Sequence, residues 1–138
     1  MLGAKKQKSW LSDQSFAKKF GFTTVDSTAD GYELLALSFD GSVPRFAESA
    51  KRQRTDAPGL LVYYDHQCPF IPQRVEKLRE YCAEHGIPAA FELVDSLEKA
   101  KSLPCVFNNW AAFWNGSFIS VNQLDGAALE EVIHRAQP

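Results

Sequence analysis

A chain of 138 residues, 45% of them apolar, holds enough material for one or two small cores. Its 15 Lys and Arg stand against 17 Asp and Glu, and a net charge of −2 with a pI near 5.9 argues against a nucleic-acid binder. Three cysteines, no secretory leader and no apolar run of about 18 residues exclude a disulfide scaffold and a membrane span, and fit a soluble protein of the reducing cytoplasm.

Residues 1–58 carry nine Lys and Arg against seven Asp and Glu, whereas the remainder has six against ten. Ser12 is placed to cap a helix running through Phe20, with Leu11 and Phe16 as a hydrophobic staple and Gly21 as the C-terminal stop. Phe22–Asp26 and Tyr32–Phe39 read as two strands. They are too little to make a core, because a hairpin with one helix is marginal in water. Lys5, Lys6, Lys8, Lys18 and Lys19, with Arg45, Lys51, Arg52 and Arg54, read as a solvated basic face. The polar stretch Lys51–Gly59, closed by Pro58 and Gly59, reads as a linker or the end of a short surface helix, and sets the boundary between a unit at 1–58 and one at 59–138.

Leu60-Leu-Val-Tyr-Tyr64 reads as a buried strand, and Ile71, Val75, Leu78 and Cys82 recur as one face of the helix that follows. Cys68 falls on the turn between them. Unpaired N–H groups at a helix start, worth roughly half a positive charge, favour a thiolate there. After Gly86 and Pro88 stop the helix, Ala89–Val94 reads as a second strand, and Asp95-Ser-Leu-Glu98 as a capping box opening a short helix to about Ser102. Pro104 then precedes a strand entrance at Cys105-Val-Phe107. Ala111–Val121 forms a hairpin around Asn115-Gly116, and the final helix starts at Asp125 as N-cap and buries Leu129, Val132 and Ile133. The order βαβαββα is that of a thioredoxin-like or glutaredoxin-like α/β domain, preceded by a helix and a β-hairpin. In that fold a proline at the position of Pro104 is usually cis and faces the active cysteine, so a cis Leu103–Pro104 bond is expected, against a prior of about 5% for any X-Pro bond.

Chemistry in such a frame centres on Cys68. Ile71 occupies the position three residues on, so no local disulfide can close, and the thiol is limited to attack on a disulfide or a mixed disulfide. Cys105 is the other thiol the fold would bring near it, while Cys82 belongs to the apolar helix face. Against redox chemistry stands the plain alternative that Cys68-Pro69 starts the helix and the thiol only packs. His66 with Cys68 and Cys82 with His85 form two pairs of potential zinc ligands. They lie about 20 Å apart along one helix, too far for one ion, so no metal site is expected. His134 reads as a solvated surface residue. The aromatic set Phe107, Trp110, Phe113, Trp114 and Phe118 offers either an exposed interaction patch or half a core.

Two longer strings carry a family resemblance. Lys5 to Asp26, with its Gly21-Phe22 pair, followed by Tyr32-Glu-Leu-Leu-Ala-Leu37, resembles the last third of a GNAT-family N-acetyltransferase. Residues 59–138, through Tyr63-Tyr-Asp-His-Gln-Cys68-Pro-Phe70 and Trp114-Asn-Gly-Ser-Phe-Ile119, resemble the YoaP-like domain that follows the acetyltransferase domain in some bacterial GNAT proteins. The resemblance implies a C-terminal, accessory portion of an acetyltransferase acting on a small-molecule or protein amine. The family's Gly-rich loop for acetyl-CoA pyrophosphate is missing, and Ala17 stands where many members carry a tyrosine acid. Acetyl-CoA is therefore expected only with a longer parent, and this chain reads as a truncated gene product or domain that starts where the CoA-binding half would end. Two other classes stay open: a monothiol redox protein using Cys68, and a non-catalytic interaction module forming a homodimer through the N-terminal strands.

Overall fold

The computed structural model describes residues 1–4 and 14–136, arranged as two β-sheets with helices packed around them. Strands Leu2–Ala4 (β1), Thr23–Ser27 (β2) and Tyr32–Ala36 (β3) form an antiparallel sheet in the order β1-β3-β2. Helix Ser15–Lys19 (α1) precedes β2, and Gly21 at φ 85° follows it as the expected stop. Leu11 and Ser12, the proposed staple and cap, lie outside the described residues, and the helix opens at Gln14 without a side-chain cap.

Helix Glu48–Arg52 (α2) leads into the second unit, which runs Leu60–Tyr64 (β4), Phe70–Glu84 (α3), Ala89–Leu93 (β5), Leu97–Ser102 (α4), Trp110–Trp114 (β6), Ser117–Ser120 (β7) and Gly126–Ala136 (α5). The order read from the sequence is thus the order observed. Sheet order is β5-β4-β6-β7, with β4 and β5 parallel and the other pairs antiparallel. Side chains alternate along a strand. Leu60 and Val62 therefore join Ile71, Val75, Leu78, Trp110 and Leu129 under α3 and α5, while Leu61 joins Leu103, Cys105, Phe107, Ala111 and Phe113 on the opposite face, beside α4. A central strand buried on both sides reads as a continuous apolar run, as Leu60–Tyr64 does.

Several local expectations are corrected. Ser96, not Asp95, caps α4: its hydroxyl accepts from Lys99 N–H at 3.2 Å, and Asp95 pairs instead with the Lys99 ammonium at 2.7 Å. Residues 105–107 form no strand, because Tyr64 pairs with Trp110 and the chain before Trp110 lies beyond the end of β4, with nothing to pair. Of the two readings of Lys51–Gly59, a linker or the end of a short surface helix, the second holds for Lys51 and Arg52, which end α2. After α2 ends, Arg54 bridges Ser117, Thr55 N–H donates to Gly116 O at 2.8 Å and Phe118 N–H to Gln53 O at 3.3 Å, so residues 53–55 cover the edge of β7. Nor is the N-terminal sheet left alone, since Tyr32 stacks edge-on against Phe107 at 4.9 Å and Leu2 packs on the same cluster. The aromatic set is core rather than patch: Phe107, Trp110 and Phe113 are buried, Trp114 and Phe118 half-buried.

Candidate functional site

The parallel pair β4 and β5 ends where α3 and α4 begin, and open α/β sheets bind ligands at such carboxyl ends. A cleft of about 580 Å³ lies there, walled by Asp65 and His66 from the β4–α3 turn, Asp95, Ser96 and Leu97 at the start of α4, and Asn108 from the loop before β6. Asp65 is the one buried carboxylate among the described residues. It follows the apolar strand directly, so its side chain must be satisfied locally. Oδ1 accepts from Gln67 N–H at 3.0 Å, Oδ2 accepts from the Asn108 amide at 3.4 Å, and its own N–H donates to Asn109 O at 3.3 Å. These bonds pin the turn to the loop across the cleft. Sequence reasoning gave Asp65 no binding role; a lone acid straight after a five-residue apolar strand was the available signal.

Cys68 sits two residues before α3, as expected, with its carbonyl accepting from Ile71 N–H at 3.1 Å and Pro69 at the helix N-cap. Its side chain is half-buried against the core under α3 and α5. Cys105 belongs to the other face of the sheet, among Leu61, Phe107 and Phe113. Cys105, expected as the other thiol near Cys68, packs in a different core cluster from it, and both are free thiols. Burial pushes the Cys105 thiol up to about 11, and its Sγ donates to Phe107 O at 3.1 Å. Cys82 is buried and its thiol likewise pushed up.

The expected cis bond at Pro104 is not found: Leu103–Pro104 is trans. Leu103 takes φ −56° and ψ 143°, the extended conformation that a following proline favours. In that conformation Leu103 and Cys105 both reach the core beside α4 without a reversal of the chain. His66 and His85 stand at opposite ends of α3, and His85 stacks on Tyr81 at 4.0 Å. Among the described residues no cluster of His, Cys, Asp or Glu has the arrangement of a metal site, and no helix is long and apolar enough to cross a membrane.

Residues 91–130, which span β5 through the start of α5, match a protein family described as YoaP-like. Over 121 residues the chain is 30% identical to a protein of Bacillus subtilis (strain 168) named as the uncharacterized N-acetyltransferase YoaP; the match covers 86% of this chain and 48% of that protein. The chain thus spans about half the length of the curated relative it matches. No solved structure matches it significantly.

Proposed function

We propose that this chain, whose YoaP-like part relates it to an N-acetyltransferase, serves as the C-terminal accessory portion of a GNAT-type enzyme. The carrying observation is the reach of the match: 121 residues exceed the C-terminal unit and run on into the three-stranded sheet. Residues 59–138 are read as a thioredoxin-like unit, supported by the order β5-β4-β6-β7 and by α3 and α5 on one face with α4 on the other. In this reading the Asp65 cleft receives a segment of substrate or partner. In this reading the half-buried Cys68 starts α3 and packs against the cluster that also holds the buried Cys82.

The acetyl-CoA-binding half would dock on the N-terminal sheet. Phe16 and Phe20 are 70% and 63% exposed with rings 5.0 Å apart, and at Gly21, next in the chain, the Cβ position lies 3.5 Å from Cδ1 of exposed Leu37. Apolar side chains clustered in water usually mark an interface. Calorimetric titration of acetyl-CoA into this chain alone should be blank. Mixing with the half of the Bacillus subtilis relative that this chain does not span should yield a complex in sedimentation, and Phe16→Ser with Phe20→Ser should abolish it. Acetyl-CoA binding by the chain alone, or a homodimer formed in preference to the complex, would contradict the proposal.

A further inference from the structure

A second, more polar cleft opens where the two sheets meet, about 470 Å³ in volume and sharing no residue with the Asp65 cleft. Its walls include Arg52, Gln53 and Arg54 on one side, Ser117 at the edge of β7, and Asp30 and Tyr32 from the β2–β3 connection. The chain leaves α2 at Gln53 in a left-handed conformation, φ 51° and ψ 32°, which non-glycine residues hold only when their surroundings enforce it. Here Gln53 O and Thr55 N are both bonded to the β7 hairpin, and Arg54 faces Ser117 in antiparallel register. The backbone that bears the two arginines is therefore fixed before any ligand arrives.

The side chains around that turn are a set of donors without acceptors. Arg52 and Arg54 are exposed and make no ion pair among the described residues. Between them the Gln53 side-chain nitrogen is buried and has no hydrogen-bond partner among the described residues. Buried polar atoms are almost always bonded, so the Gln53 amide leaves hydrogen-bonding capacity unused beside the two guanidiniums. On the far wall the Asp30 carboxylate accepts from Thr28 Oγ1 at 2.5 Å. Among the described residues, the cleft lining carries the two guanidiniums and the Asp30 carboxylate.

We propose that this cleft binds the oxyanion of a small molecule, a phosphate-type or carboxylate group. The exposed Arg52 and Arg54 guanidiniums supply charge, and the exposed Ser117 hydroxyl supplies a neutral donor. Guanidinium groups suit both anions because their planar N–H pairs match two oxygens at once. The site differs in residues and position from the proposed docking strip and from the Asp65 cleft, so it stands or falls separately from the acetyltransferase reading.

The test is a titration of the whole chain with inorganic phosphate, and in a parallel arm with acetate, at pH 7 and low ionic strength, followed by amide NMR shifts. Saturable shifts should appear at the Gln53 side-chain amide and along residues 52–55. Saturation by phosphate alone, or by acetate alone, supports the proposal and names the group. Arg52→Gln and Arg54→Gln should each weaken binding about tenfold, the worth of one charge-assisted bond. Ser117→Ala should also weaken it, whereas Arg45→Gln, which removes an exposed charge outside the cleft, should not. Saturation by neither anion, or equal weakening by Arg45→Gln, would overturn the proposal. Where a variant fails to fold, the site-resolved shifts of the parent chain decide.

Discussion

Each of the three thiols lies in a different setting, and reactivity should follow. The thiolate is the nucleophile, so a buried thiol pushed up to about 11 is protected twice, by access and by protonation. Brief treatment with iodoacetamide at pH 8, read by peptide mass spectrometry, should modify Cys68 while leaving Cys82 and Cys105 intact. Labelling of Cys105 as fast as Cys68 would contradict its placement beneath α4. Gly116 gives a second case at this scale. Its φ is +79°, and a Cβ there would stand 2.3 Å from Thr55 O. Gly116→Ala should therefore cost about 2–4 kcal/mol in urea unfolding, from a left-handed alanine and a backbone clash together. Asn115-Gly116 was legible from two residues, because a type of turn dictates its own residues. Pro104 was not: its isomer depends on how Leu103 and Cys105 reach the core, which no local pattern encodes.

Contacts between helices carry the next set of consequences. Tyr81 on α3 donates its hydroxyl to Glu130 on α5, and Gly126 at the start of α5 lies flat against the Tyr81 ring, where a Cβ would stand 2.6 Å away. Gly126→Ala should force the two helices apart and cost about 1–3 kcal/mol, measured by thermal unfolding. In the first unit, Asp26 on β2 accepts from Phe46 N–H at 2.9 Å and pairs with Lys51 of α2 at 2.8 Å. Asp26→Ala should lower stability by about 1–2 kcal/mol, discounted because the pair is partly exposed. Helices α3 and α5 and strand β4 were legible because period and burial agree over five or more residues. Strand β1 was missed, since Leu2-Gly3-Ala4 is too short for a period and is defined only by its partner β3. The strand expected at Cys105–Phe107 failed for the converse reason: the residues favour a strand, but β4 ends before them.

Across the whole molecule, titration should bound stability on both sides. Asp26 is held below its ordinary 3.8, chiefly by the bond to Lys51, so its contribution is present above that value and lost as pH falls through the lower folded value. Tyr81, raised from 10.0 to about 12 chiefly by its bond to the Glu130 carboxylate, and Cys105, raised from 9.0 to about 11 by burial, act with the opposite sign. The unfolded chain loses these protons first, so stability should decline as pH rises from about 9 towards 12. A urea midpoint that stays level from pH 8.5 to 11.5 would contradict that linkage.

Composition divides the chain into two stretches of different charge. It did not reveal that Tyr32 packs on Phe107 and joins them, because that contact spans 75 residues and only three-dimensional packing selects it. The Asp65 cleft was equally hidden, since Asp65 and Asn108 meet only when β4 and β6 pair.

The account turns on the chain being one part of an acetyltransferase. Sedimentation velocity with labelled acetyl-CoA measures this most directly, using the chain alone and then mixed with the unspanned half of its Bacillus subtilis relative. Label should stay free with the chain alone and move with a complex in the mixture. Label sedimenting with this chain by itself, or two proteins that never associate, would contradict it.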